Sequence, residues 1–83
     1  MAFRAYLTID DSPSSRTDDL TDELKMRGVP ALLFCRGDRL EQNPAPIARA
    51  IQRGFAIGNH AYSHTRFSTL SFEQCVQEIK KTE

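Results

Sequence analysis

Two short segments hold the residues whose types and spacing could do chemistry. Asp10 and Asp11 are adjacent carboxylates, and the chain places both of its histidines, His60 and His64, in the pentapeptide HAYSH. Histidines four residues apart lie on one face of a helical turn, so their ring nitrogens can bind a single ion. An aspartate from elsewhere in the fold would complete a ligand set suited to zinc, and the second carboxylate would stay free as a base.

Each of the two segments can also be explained without a metal or catalytic site. Asp, Ser and Pro are typical of surface turns, because Asp and Ser side chains bond their own backbone and Pro fixes φ. Two histidines at this spacing can also lie on a solvated helix face. The choice depends on the elements that position the four residues.

Strand and helix signals alternate from the start of the chain. Residues 2–9 are rich in β-branched and aromatic types, which predicts a first strand that ends at the aspartates. Thr17 is predicted to cap a helix over 17–27, which Gly28 ends. The two carboxylates are therefore expected at the C-terminal end of a strand.

A second strand and a second helix follow. The apolar run 29–35 does not alternate, which is typical of a parallel strand buried on both faces, and residues 36–38 close it. Asn43 is predicted to cap the next helix, with Pro44 near its first position and Gly54 at its end.

The last third of the chain repeats the pattern. Residues 55–57 predict a short third strand directly before the histidine segment. Ser71 and Gln74 predict a capping box for a third helix, with apolar residues at helical spacing: Phe72, Cys75, Val76 and Ile79.

The resulting βαβαβα order predicts an α/β fold with parallel strands joined by right-handed crossovers. The C-terminal ends of such strands share one rim of the sheet, where folds of this class build their sites. Asp10, Asp11, His60 and His64 are all expected at that rim, which favours a metal site over a turn and a solvated helix face. Successive residues of an extended stretch point in different directions, so the two aspartates can divide the roles of ligand and base.

Three stretches resemble the polysaccharide deacetylases, the NodB-homology domain of carbohydrate esterase family 4. TIDDSP (8–13) resembles the first family motif, VPALLF (29–34) the strand that follows, and GNHAYSH (58–64) the second motif. The chain departs from the family at three positions: Ile9 for a common aromatic, Ser12 for the usual Gly, and Ala61 for the usual Ser or Thr.

The resemblance implies roles for the four candidate residues. Asp10 would be the catalytic base, and Asp11, His60 and His64 would bind a divalent metal, with zinc as the expected ion. It also implies a distorted (β/α) barrel and a hydrolase that acts on a carbohydrate. The enzyme would remove N-acetyl groups, by hydrolysis of C–N bonds other than peptide bonds, or O-acetyl groups.

The resemblance also implies that residues 1–83 are the N-terminal portion of an incomplete domain. Later family motifs supply an arginine that steers the base, a sugar-binding wall and a histidine that serves as general acid; these are not found in this chain. The isolated chain is therefore expected to be inactive and to need a partner, either the missing C-terminal portion or a second copy.

Two other functions remain open at this point. One is an amide hydrolase that acts on a small non-sugar substrate, as in allantoinase-like proteins; some of these dispense with the metal, although retention of both histidines argues against that version. The other is a non-catalytic module for sugar binding or assembly.

Composition narrows the partners. Eleven acidic and eleven basic residues give no net charge, and no basic cluster favours nucleic acid or an anionic membrane surface. No apolar run approaches the length of a membrane span, and a cytoplasmic location is expected if Met1 is the native start. Cys35 and Cys75 both lie in apolar patterns, which predicts reduced core residues.

Overall fold

The computed structural model describes residues 4–83, which form a three-stranded parallel sheet with helices in its connections. The strands are parallel, as predicted, and lie in the order β1-β2-β3. The elements are β1 (Thr8–Ser12), α1 (Thr17–Met26), β2 (Leu32–Cys35), α2 (Gly37–Gln42), α3 (Ala45–Gln52), β3 (Ala56–Asn59), a 3-10 turn (Phe67–Thr69) and α4 (Phe72–Lys80). Helix α2 and the 3-10 turn were not predicted.

The first strand lies further along the chain than predicted. β1 pairs with β2 from Thr8, opposite Leu32, to Ser12, opposite Cys35, so the predicted bounds of 2–9 are wrong where the structure can test them. Residues 2 and 3 of that prediction lie outside the described part of the chain. The reason lies in the neighbouring strand. β2 starts at Leu32 rather than at residue 29, so residues 4–7 have no β2 residue opposite them with which to form a strand pair. Both aspartates consequently lie within the strand.

The first helix agrees with the prediction except at its cap. α1 spans Thr17–Met26, and Gly28 follows it in a left-handed conformation with φ 68°. Thr17 does not cap the helix. Its Oγ1 accepts a hydrogen bond from the amide of Ser14 at 2.8 Å, so the hydroxyl closes the preceding turn instead.

The cap predicted for the next helix is also wrong. Pro44 rather than Asn43 occupies the cap position of α3, and its carbonyl accepts the amides of Ile47 and Ala48 at 3.1 Å. Because Pro44 already has helical dihedral angles, φ −77° and ψ −14°, the first turn closes on its own carbonyl. Gly54, with φ 95°, follows the helix as predicted.

Helix α4 begins with the predicted capping box. Ser71 Oγ accepts the amide of Gln74 at 3.2 Å, and Gln74 Oε1 accepts the amide of Ser71 at 2.8 Å. The apolar side of the helix is largely uncovered, since Phe72 is 83% exposed and Ile79 is 43% exposed. The helix was thus predicted correctly, but within residues 4–83 it contributes no fully buried side chain.

The core lies on one face of the sheet, between β2 and the helices. Its buried apolar members are Leu33, Cys35, Ile47, Ala50 and Phe55. Leu32 and Phe34, on the opposite face of β2, are only half-buried, so the predicted burial of β2 on both faces is not found in the described part of the chain.

Both cysteines are free thiols, but only one is a core residue. Cys35 is buried, and burial raises the pKa of its thiol. Cys75 is only half-buried among the described residues, so the prediction that it is a core residue is wrong there.

None of the helices in residues 4–83 combines the length and apolarity that crossing a membrane requires.

Candidate metal centre

Asp11 is an extra residue in β1. In the register with β2, Asp10 lies opposite Phe34 and Ser12 lies opposite Cys35, so Asp11 has no partner and forms a β-bulge. Its backbone is left-handed, with φ 64°. The bulge takes Asp11 out of the alternation of an extended strand, so the predicted basis for dividing the two roles, simple alternation, does not hold at this position.

The two histidines lie in a loop. The predicted helical turn over residues 60–64 is absent, and left-handed residues at Ala61 (φ 62°) and His64 (φ 64°) bring the rings together instead. The ring centroids are 5.1 Å apart. Asn59 Oδ1 accepts the amide of Ala61 at 2.8 Å, and a side-chain bond of this kind competes with helix formation.

Three of the four predicted residues converge at the rim. Asp11 Oδ1 lies 3.2 Å from His60 Nε2 and 3.3 Å from His64 Nε2. Despite these distances, Asp11 Oδ1 and His60 Nε2 are buried and make no hydrogen bond among residues 4–83. The candidate ligand atoms of the three residues lie within 4.8 Å of one another.

This arrangement fits a divalent metal ion. With bonds of about 2.0–2.2 Å, a tetrahedral zinc ion keeps its nitrogen and oxygen ligands roughly 3.3 Å apart. The Asp11–His60 and Asp11–His64 distances match that spacing. A buried polar atom without a partner lowers the stability of the fold. A metal ion bound between Asp11 Oδ1 and His60 Nε2 would give both atoms a partner.

Asp10 lies beside the ligand group without belonging to it. Ile9 packs against the core, so the alternation of the strand points Asp10 to the opposite face of the sheet, where it is exposed. It has no side-chain hydrogen bond within the described residues, which leaves its carboxylate free to act on a bound molecule.

A cavity of about 530 Å³ borders both histidines. Its walls combine the histidine loop with apolar side chains from the 3-10 turn and α4; the lining residues are Asn59, His60, Ala61, His64, Thr65, Arg66, Phe67 and Ile79.

Sequence reasoning missed the role of helix α2. From the sequence, residues 36–38 were predicted only to end the second strand. In the structure, the amides of Gly37 and Asp38 donate to the carbonyls of Ala61 and Tyr62 in the histidine loop, each at 3.0 Å. Arg36 forms a two-point ion pair with Asp38, at 2.6 and 3.0 Å, and this pair lowers the pKa of the Asp38 carboxyl and raises that of Arg36. No local pattern could reveal these contacts, because both partners of the loop carbonyls are distant in sequence.

Helix α4 supports the same loop from the other side. Glu78 accepts hydrogen bonds from the amide of Ser63 at 2.9 Å and from its hydroxyl at 2.7 Å. Burial alone would raise the pKa of Glu78, but the hydrogen bonds from Ser63, together with the backbone of Tyr62 and the charge of Lys81, outweigh it and lower the pKa. Asn59 Nδ2 also donates to the carbonyl of Ile79 at 2.9 Å.

Gly37→Ala is expected to destabilise this part of the fold. A Cβ atom at Gly37 would lie 2.5 Å from Thr82 Oγ1 and 2.6 Å from Tyr62 Cδ2, so the added methyl must push helix α2 away from the loop. Overpacking of this kind lowers the free energy of unfolding by about 1–3 kcal/mol. Chemical denaturation measures it.

Gln42→Ala is the matched control, because Gln42 is exposed in the last turn of the same helix. Its effect should stay within about 0.5 kcal/mol. Equal stability of the Gly37→Ala variant and the unmodified protein would show that the contact with Tyr62 and Thr82 is not tight.

Comparison with known proteins places this geometry in a family. The model of the family described as polysaccharide deacetylase matches residues 2–83. Over 81 residues, which are 96% of this chain, the sequence is 35% identical to the peptidoglycan-N-acetylglucosamine deacetylase PgdA of Listeria monocytogenes.

Two solved structures share the fold. The family 4 carbohydrate esterase from Streptomyces lividans superposes with a TM-score of 0.89 at 34% identity over 93% of this chain. The chitin deacetylase of Colletotrichum lindemuthianum gives 0.86 at 34% identity over 94%. These relatives have a (β/α) barrel, and the present sheet and helices correspond to a portion of it.

The chain spans 17% of the length of PgdA, 40% of the Streptomyces structure and 37% of the Colletotrichum structure. The family match nevertheless extends over nearly every residue, including both aspartates and both histidines. The chain belongs to the polysaccharide deacetylase family.

Proposed function

We propose that this chain carries the metal-binding part of a hydrolase that removes N-acetyl groups from a carbohydrate. The convergence of Asp11, His60 and His64 on one point, with two of their atoms lacking any hydrogen bond, is the observation that carries the proposal. Relatives named as peptidoglycan and chitin deacetylases support a carbohydrate substrate over a small non-sugar amide.

Asp11 Oδ1, His60 Nε2 and His64 Nε2 would hold the ion, for which zinc is our proposal. Imidazole nitrogen and carboxylate oxygen are the ligand types that catalytic zinc sites combine. The chemistry that a bound zinc ion supplies is Lewis-acid stabilisation of the negative charge that develops on the acetyl oxygen.

Asp10 is proposed as the general base. Its neighbour Asp11 is committed to the histidines, whereas the Asp10 carboxylate is exposed on the open face of the sheet. A free carboxylate at this place can accept the proton of the attacking water and hold it until the amine leaves.

Acetate release from N-acetylglucosamine oligomers by the complete polypeptide encoded by the gene tests the proposal. We expect release that stops after treatment with a chelator and returns when zinc is added. An O-acetylated xylan tested in parallel separates amide from ester hydrolysis. Undiminished release by the metal-free protein, or no release from any acetylated carbohydrate, would contradict the proposal.

A further inference from the structure

We propose that Arg39 is a positioning residue that holds Asp11 in the conformation from which its carboxylate reaches both histidines. The inference rests on the proposed function in one respect, namely that Asp11, His60 and His64 bind a metal ion. It concerns a residue of helix α2 that is not itself one of the three candidate ligands.

The contact that supports it is a hydrogen bond to the backbone of Asp11. Arg39 Nη1 donates to the carbonyl oxygen of Asp11 at 2.6 Å, in a half-buried setting. Because Asp11 is the extra residue of the bulge, it has no partner residue in β2. The guanidinium therefore supplies a donor at the point where the ladder is interrupted.

This hydrogen bond is made at the residue of β1 that has a left-handed backbone, Asp11. A left-handed φ is uncommon for residues other than glycine, and it persists only where surrounding contacts enforce it. At Asp11, φ is 64°. A hydrogen bond from a charged guanidinium is stronger than one between neutral groups, so Arg39 is well suited to hold the carbonyl in this orientation.

The backbone of Arg39 is linked to the histidine loop through Asp38. Its amide donates to Asp38 Oδ1 at 2.8 Å, and the amide of Asp38 donates to the carbonyl of Tyr62 in the histidine loop. Arg39 therefore joins the bulge that carries one candidate ligand to the segment that holds the other two. This link adds to the strand pairing that already connects the two segments through β2.

Zinc affinity, measured by competition with a chromophoric chelator in the complete polypeptide, tests the role. Arg39→Met keeps the length and apolar stem of the side chain but removes its donors. We expect affinity to fall by about 10- to 100-fold, the usual cost of losing a residue that orients a ligand. Arg39→Lys, which retains charge and a donor, should recover part of the loss.

Two further measurements separate positioning from general stability. The visible absorption of the cobalt-substituted protein reports the ligand arrangement, and we expect it to change in Arg39→Met. Arg49→Met is the matched control, since the hydrogen bonds of the Arg49 side chain within the described residues go to Asp18, between α1 and α3. Its zinc affinity and cobalt spectrum should match those of the unmodified protein.

The outcomes distinguish this inference from the proposed function. If the unmodified protein binds zinc and folded Arg39→Met binds it equally tightly with an unchanged cobalt spectrum, the positioning role is overturned and the proposed function stands. If the unmodified protein binds no divalent ion, both are overturned. Should Arg39→Met fail to fold, Arg39→Gln, which lacks the charge and the reach, replaces it with the same expected loss.

Discussion

His60→Ala and His64→Ala are each expected to remove the bound metal ion and, with it, deacetylase activity in the complete polypeptide. Each substitution deletes one of three side chains that converge within 4.8 Å. Affinity should fall by more than the roughly 10- to 100-fold that loss of a supporting residue costs. Elemental analysis of purified protein and titration with zinc measure the change.

Ser68→Ala provides the control for these variants, because Ser68 is exposed in the 3-10 turn after the histidine loop. It should keep one ion per chain. Stoichiometric, equally tight binding in both histidine variants would rule out the assignment of His60 and His64 as ligands.

Asp10→Asn is expected to lower turnover by roughly 10²- to 10⁴-fold, the usual scale for a lost general base, while the metal content stays near normal. The asparagine keeps the size of the side chain but cannot accept the proton of water. Since Asp10 is exposed and lies outside the ligand group, the substitution should leave the fold intact. Acetate release and metal analysis on the same preparation test both parts.

Asp19→Asn is the matched control, as Asp19 is an exposed carboxylate on helix α1. It should retain full turnover. Normal turnover in Asp10→Asn would refute the role of the base, and loss of the metal would show that Asp10 binds the ion.

Local signals in the sequence predicted much of the fold. Gly28 and Gly54 follow helices with positive φ, as expected, and the capping box of Ser71 and Gln74 forms as expected. These features depend on residues a few positions apart, so a single sequence contains them. The order of strands and helices follows from the same signals, and it places the candidate residues at one rim.

The conformation of the site could not be predicted in this way. The spacing of His60 and His64 fits a helical turn, but their loop follows hydrogen bonds from Gly37 and Asp38, which lie more than twenty residues earlier. The convergence of the histidines was predicted for the wrong reason. Long-range contacts, which no local pattern records, decide the backbone there.

The bulge at Asp11 also determines which side chain enters the core. In a regular strand the residue after Asp10 would lie opposite Cys35, on the buried side of the sheet, and a carboxylate there would face apolar groups without a compensating charge. The extra residue shifts the phase of the strand by one, so that Ser12 takes the buried place at 3% exposure. Two consecutive acidic residues can thus stand in a strand beside an apolar interior. Deleting either one would leave the same sequence, with a single aspartate between Ile9 and Ser12. In a regular strand that aspartate would lie opposite Phe34 and Ser12 would keep the buried place opposite Cys35, so the deletion would cost the candidate metal site a carboxylate and leave the core unchanged.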